Sequence, residues 1–117
     1  MPSAERITVA ALQGLASGGI YPDQAPANVA APYIVYQSVG GADETALDGF
    51  EPQQNSRMQI AVWSATRLEA VDIMQKILRA MTAAPVLGKP IGASVSVYDS
   101  DEKLYGSRLD VSIWFNV

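Results

Sequence analysis

The chain has 117 residues, of which 49% are hydrophobic, 17% are charged and 8% are aromatic, and it contains no cysteine and no histidine. This length fits one domain covering residues 1–117, and the missing residue types exclude disulfides, thiolate nucleophiles, cysteine-ligated zinc and imidazole catalysis. Eight basic and twelve acidic side chains give a formal charge of −4, which disfavours a tight grip on the phosphates of nucleic acid.

A first helix is predicted from Ser3 to about Ser17. Ser3 is a favourable N-cap, and Glu5 lies in the first turn, where the helix dipole favours a negative charge. Two glycines at positions 18 and 19 end the helix. Ile20 and Tyr21 then predict a very short strand, and three prolines in residues 22–32 predict an irregular connection. The apolar stripe of the helix is formed by Ile7, Ala11, Leu12 and Leu15.

Two strands are predicted next, over residues 33–39 and residues 56–64, because both segments are rich in β-branched and aromatic residues. The loop between them, residues 40–55, is longer than an ordinary hairpin loop, and loops of this length are often functional. We therefore interpret it as a docking arm. It is acidic through Asp43, Glu44, Asp48 and Glu51.

A second helix is predicted from its capping box, in which Thr66 and Glu69 are spaced to satisfy two free backbone N–H groups. The segment from Pro85 to Pro90 ends the helix and turns the chain. A broad apolar face is formed by Ala70, Ile73, Met74, Ile77, Leu78 and Met81.

The last third predicts a hairpin, with residues 93–98 and residues 104–115 as strands and an acidic turn between them. The order of elements predicts an α+β fold, in which two helices pack on one face of a mainly antiparallel sheet of four to five strands.

Acidic side chains at two places suggest chemistry, and both have a simpler interpretation. Asp99, Asp101 and Glu102 could bind Ca²⁺, since Asp99 and Asp101 stand at alternate positions, but the turn lacks the glycine and the distant glutamate of a Ca²⁺ loop, so we favour a solvated hairpin tip. Asp110 is a candidate for acid–base work, with Arg108 nearby on the same strand. Since nothing in the sequence indicates burial or crowding of like charges, we favour a structural or intersubunit ion pair.

The strand faces that carry Trp63 and Trp114 mix apolar and polar residues. Such a mixture suits a sheet face that is half covered by a partner chain. The sequence shows neither a phosphate-binding loop nor a dinucleotide fingerprint.

Three groups of residues, in order along nearly the whole chain, carry a resemblance to a known family. They are Tyr21-Pro22, Ala25-Pro26 and Pro32-Tyr33-Ile34-Val35-Tyr36 after the first helix, Leu47-Asp48-Gly49 and Met58-Gln59-Ile60-Ala61-Val62-Trp63 in the middle, and Leu104-Tyr105-Gly106-Ser107-Arg108-Leu109-Asp110-Val111-Ser112-Ile113-Trp114 at the end. This pattern resembles the tail completion proteins of tailed phages and prophages, which are similar to tail-to-head joining and tail terminator proteins. Gly106 departs from it, because a basic residue is expected there in relatives.

The resemblance implies a structural virion protein and not an enzyme. Such proteins share a small α+β fold and assemble as a ring, typically six-fold, that caps the tail tube and meets the head's connector. The implied partners are other copies of the chain, the tail tube protein and head connector proteins, with DNA passing through the lumen without specific binding. The resemblance implies no catalytic, cofactor-binding or metal-binding residues.

We therefore expect a ring subunit of the virion tail, made in the host bacterial cytoplasm. Neither a signal peptide nor an apolar run of about 20 residues is visible, so we expect no secretion and no membrane partner. The alternative is a small cofactorless α+β enzyme or ligand-binding domain, with an apolar pocket between the second helix and the sheet. A ring requires two different contact patches, for which the candidates are Asp43, Glu44 and Asp48 on the arm, and Trp63 and Trp114 on the receiving face.

Overall fold

Two helices and six strands follow one another in the computed structural model, which describes residues 3–42, 49 and 52–117. No helix within these residues is long and apolar enough to span a membrane. The elements are α1 (Ala4–Leu12), β1 (Ile20–Pro22), β2 (Tyr33–Ser38), β3 (Gln53–Ser64), α2 (Arg67–Thr82), β4 (Lys89–Pro90), β5 (Val95–Asp99) and β6 (Leu104–Asn116).

Both helices begin at the predicted capping residues. The Ser3 hydroxyl accepts a hydrogen bond from the backbone N–H of Arg6 at 3.1 Å, and the Thr66 hydroxyl accepts one from the N–H of Glu69 at 3.2 Å. Each bond satisfies a donor that the first helical turn leaves free. The predicted capping box is only half formed, because the Glu69 carboxylate accepts from the hydroxyl of the buried Ser64 instead.

α1 ends at Leu12, five residues before its predicted end. Gln13 is no longer helical, and Gly14 has a φ of +79°, which takes the backbone out of the helix. The buried stripe is also rotated from the predicted one, because Thr8 is fully buried. Its hydroxyl donates to the carbonyl oxygen of Ala4 at 2.8 Å, so this polar residue enters the core with its hydrogen bond made.

The strands form one sheet in the order β1-β2-β3-β6-β4, and β5 also pairs with β6. β1 and β2 are parallel, and every other pair is antiparallel. The predicted α+β class, with a mainly antiparallel sheet, is confirmed. The sheet has six strands where four to five were predicted, because Lys89–Pro90, predicted as part of a turn, pairs with β6.

β3 is longer than predicted and includes the end of the segment predicted as a loop. It begins at Gln53, three residues before its predicted start. At the other end of the loop, the Gly40 carbonyl accepts from the backbone N–H of Arg57 at 2.7 Å, so the chain still follows β3 there. The predicted arm is therefore shorter than residues 40–55. Its candidate interface residues lie outside the described residues; they are Asp43, Glu44 and Asp48.

The sheet buries one face, which we call the inner face, under both helices. The predicted apolar face of α2 is confirmed except at Leu78, which is only half-buried. The opposite side of the sheet, the outer face, presents the alternate residues of each strand. The fully buried side chains between α2 and the inner face include Met58, Ile60, Val62, Ile77, Met81, Val111 and Ile113.

Candidate interface on the outer face of the sheet

The outer face holds both tryptophans that the sequence proposes as contacts. Residues directly opposite one another on neighbouring strands share a face of the sheet. Trp63 is therefore flanked by Tyr33 of β2 and Gly106 of β6, and Trp114 is flanked by Asn55 of β3.

The two tryptophans lie at opposite ends of this face. Trp114 is level with Asn55, which lies eight positions before Trp63 on β3. At a rise of about 3.3 Å per residue, this separation is about 26 Å. Trp114 is 46% exposed, whereas Trp63 is half-buried. The sequence analysis assigns the two side chains to one receiving surface, whereas the structure places them at opposite ends of the outer face.

The Trp114 end holds the base of the acidic loop. Ala42 donates its backbone N–H to Asn55 Oδ1 at 2.9 Å, and Asn55 Nδ2 donates to Ser112 Oγ at 2.9 Å. Gly41, with a φ of +150°, lies so close to β3 that a Cβ would stand 2.5 Å from the carbonyl oxygen of Asn55. Only glycine fits this approach. The loop therefore leaves the sheet beside Trp114.

An ion pair occupies the middle of the outer face. Arg57 Nη2 lies 2.7 Å from Asp110 Oδ2, and Gln59 Nε2 donates to Asp110 Oδ1 at 3.3 Å. These contacts use both oxygens of the carboxylate that was a candidate for acid–base chemistry. They give Asp110 the structural ion pair that the sequence analysis favoured.

Two further cations lie near this ion pair. The strand register places Arg108 of β6 and Lys89 of β4 on the outer face, and both are exposed. Neither forms an ion pair with any residue that the structure describes. We call Arg57, Lys89 and Arg108 the basic strip. Only the charge of Arg57 is neutralised within the described part of the chain.

The Trp63 end is a cleft of about 430 Å³ with carboxylates at its rim. Burial raises the pKa of the Tyr33 hydroxyl, and the nearby charges of Glu102 and Asp99 raise it further, so the cleft disfavours additional negative charge. We call it the acidic cleft. Its lining includes residues 23–29, Tyr33, Val35, Trp63, Asp99, Glu102 and Leu104.

The turn between β5 and β6 is held by Asp99. Its Oδ1 accepts from the backbone N–H groups of Asp101 at 3.0 Å and Glu102 at 3.2 Å, as expected for an Asx-type turn. In the residues that the structure describes, no group of three or more histidine, cysteine or acidic side chains is placed to hold a metal ion.

The Trp63 ring packs against the backbone of Gly106. A Cβ at this position would stand 2.7 Å from Val97 Cγ2 and 2.8 Å from the Trp63 ring. These distances are shorter than real Cβ contacts, so any side chain here would displace the indole or the valine. The basic residue expected in relatives is therefore incompatible with this position of Trp63, which packs directly on the strand backbone.

Sequence reasoning missed Arg67, the first residue of α2. Its Nη1 donates to the carbonyl oxygen of Gly106 at 2.5 Å and its Nη2 to that of Val97 at 2.8 Å. The guanidinium also lies 5.2 Å from the centre of the Tyr105 ring. The side chain thereby ties the start of α2 to β5 and β6, next to Trp63. An arginine at a helix start gives no sequence signal for such a long-range contact.

We expect Arg67→Ala to lower the free energy of unfolding by about 1–3 kcal/mol, because two half-buried carbonyl groups lose a charged donor. Urea denaturation followed by far-UV circular dichroism measures this loss. Arg67→Lys should recover only part of it, since an ammonium cannot make the two-pronged contact. Equal stability of wild type and Arg67→Ala would show that the contact does not stabilise the fold.

The inner face does not favour the alternative of an apolar ligand pocket between α2 and the sheet. The side chains in that space, among them Ile77, Met81 and Val111, are fully buried against one another. Within the described part of the chain, no buried side-chain polar atom lacks a hydrogen-bond partner. The space between helix and sheet is therefore core, and the outer face is the better candidate for recognition.

In the residues that the structure describes, the architecture is that of a small α+β protein with both helices on one face of its sheet and no helix on the outer face. A family model described as "Tail completion protein gp17" matches residues 6–116. The chain therefore belongs to the phage tail completion protein family, and it is a structural phage tail protein and virion component. No individually curated protein sequence matches it.

Two solved structures share the fold. The chain is similar to the gp17 protein of bacteriophage SPP1, with 23% identity, a TM-score of 0.56, and coverage of 96% of this chain and 88% of that one. It is also similar to a chain of the virion of a native gene transfer agent particle, with 13% identity, a TM-score of 0.57, and coverage of 97% and 87%. At these identities the likeness concerns the fold.

Proposed function

We propose that the protein completes the phage tail as a subunit of a homo-oligomeric ring of six copies, and that it joins the tail to the head without catalysis. The observation that carries this proposal is the outer face, which neither described helix covers and which has a partly unneutralised basic strip near the base of an acidic loop. Family membership supports a structural role in the tail.

The ring contact we propose is heterologous, with the arm of one subunit meeting the outer face of the next. The arm contributes the carboxylates of Asp43, Glu44 and Asp48. The basic strip supplies the complementary charge through Arg108 and Lys89, which have no ion pair within the described residues. Two different patches of this kind close a ring under rotation. Trp114, exposed beside the base of the loop, is the hydrophobic part of the same contact.

The acidic arm and the acidic cleft repel each other, so charge assigns the two tryptophans to different partners. We keep Trp114 as a subunit contact. We propose that Trp63, which lines a cleft with Asp99 and Glu102, contacts a partner whose surface is positively charged.

The other partners we propose are the tail tube protein on one side of the ring and head connector proteins on the other. DNA passes through the lumen without specific binding, which a net charge of −4 favours because phosphates find few cations. We further propose that residues 1–117 act as a single domain, and that the protein is made in the host bacterial cytoplasm without secretion.

The test is a phage that carries a deletion of this gene, with particles imaged by negative-stain electron microscopy. Normal-length tails without heads are expected for a protein that joins the tail to the head. Overlong tails would show that the protein terminates the tail and does not join it.

Complementation with the wild-type gene serves as the control, and it should restore complete particles. Normal, infectious particles from the deletion strain would contradict the proposed function. So would turnover of a small molecule by the purified protein together with unaffected tails.

A further inference from the structure

We propose that the acidic cleft is a docking site for a basic segment of another protein, and that it binds an arginine or lysine side chain against Tyr33 and Trp63. This site goes beyond the ring contact, because it lies at the far end of the outer face from the base of the acidic loop. Three carboxylates reach the cleft, from Asp23, Asp99 and Glu102, and no lysine or arginine is among its lining residues.

The lining of the cleft fits a cation with an aliphatic stem. Tyr33, Trp63 and Leu104 provide aromatic and aliphatic surface, and the faces of aromatic rings attract a cation within about 6 Å. The carboxylates at the rim then meet the charged head of the side chain, while its methylene groups cover the apolar floor.

The carboxylates of the cleft are not neutralised by any cation in the described part of the chain. Asp99 uses Oδ1 for two backbone N–H groups of its own turn. The single ion pair among the described residues is that of Arg57 and Asp110, so no described cation neutralises the three carboxylates of the cleft. Burial is the main cause of the raised pKa of Tyr33, and the charges of Glu102 and Asp99 add to it.

The occupant is a different protein and not a second copy of this chain. In the proposed ring the free cations of the outer face, Arg108 and Lys89, already meet the arm, so they are not available to the cleft; on this point the inference rests on the proposed function. A partner with a basic segment is attracted by both the cleft and the net charge.

Agmatine, a guanidinium on a four-carbon stem with an amine at its far end, is a direct probe of the cleft. The chain has two tryptophans, so the Trp114→Phe variant leaves Trp63 as the single indole reporter. We expect a saturable change of its fluorescence on titration with agmatine at low ionic strength. The uncharged analogue butylurea should give no saturable change.

The matched variants remove charge while keeping shape. In the Trp114→Phe background, Asp23→Asn with Glu102→Gln should weaken agmatine binding about tenfold, since two exposed charge contacts are lost. Asp101→Asn, in the same turn but outside the lining of the cleft, should leave binding unchanged. No saturable signal, an equal signal with butylurea, or equal weakening by Asp101→Asn would overturn the proposal.

A second measurement distinguishes a basic segment of another protein from a second copy of this chain as the source of the cation. Sedimentation velocity of the wild-type protein should show no self-association that agmatine competes away. Self-association abolished by both agmatine and the Asp23→Asn, Glu102→Gln variant would identify a second copy as the occupant, and would overturn the assignment to another protein. Because these experiments use the free protein, their failure is distinct from a failure of the tail experiment.

Discussion

Replacing Ile77 with alanine should lower the free energy of unfolding by about 2–5 kcal/mol. Ile77 is fully buried on α2, in the same core cluster as Ile60 of β3 and Val111 of β6. Truncation removes three carbon atoms from a well-packed space and leaves a cavity that the surrounding core closes only in part. Urea denaturation of purified wild-type and variant protein measures the difference.

Two neighbouring positions on α2 provide the controls. Arg79 is exposed, so Arg79→Ala should change the free energy of unfolding by less than about 0.5 kcal/mol. Leu78 is half-buried, and Leu78→Ala should fall between the two. Equal losses at Ile77 and Arg79 would mean that α2 presents a different face to the sheet.

The sequence predicts the fold best where hydrophobic periodicity and local capping agree. The alternation of apolar residues along β3 and β6 identifies their inner faces correctly, because side chains of a strand alternate strictly between its two sides. The cap of α2 at Thr66 is equally local, since its hydrogen bond spans three residues. Signals of this kind need no knowledge of the rest of the chain.

Features that depend on distant contacts are the ones that the sequence does not predict. Lys89–Pro90 becomes a strand only because β6 offers it an edge. Thr8 is buried because its hydroxyl finds a carbonyl one helical turn away, and hydropathy alone places such a residue at the surface. The hydroxyl of Ser64 likewise takes the Glu69 carboxylate away from the capping box.

In the candidate interface, too, local features could be predicted from the sequence and long-range ones could not. Trp63 and Trp114 could be assigned to one face from their alternation alone, but the register that sets them about 26 Å apart is a long-range property. The acidic turn is visible in the sequence. Its position beside Tyr33 and Trp63 depends on how β2, β3 and β6 pair, so the acidic cleft could not be predicted.

Reversing the charges of Asp43 and Glu44 on the arm should prevent incorporation into tails while leaving the fold stable. Asp43→Lys with Glu44→Lys replaces attraction to the basic strip by repulsion, and the cost is repeated at each contact of a ring. Complementation of the deletion phage should then give at least about tenfold fewer infectious particles than wild type. The free energy of unfolding should change by less than about 0.5 kcal/mol, as for surface substitutions in general.

A control with the same change in net charge separates the arm from a general charge effect. Glu5→Lys with Asp72→Lys also moves the formal charge from −4 to 0, since each reversal adds two units, and both residues are exposed on the helices, on the other side of the sheet from the basic strip. This control should complement normally.

A second-site test follows from the proposed pairing of the arm with the basic strip. Arg108→Glu alone should impair incorporation into tails, and Arg108→Glu combined with the reversed arm should partly restore incorporation. Full complementation by the reversed arm, or no rescue by Arg108→Glu, would show that the arm does not dock on the basic strip.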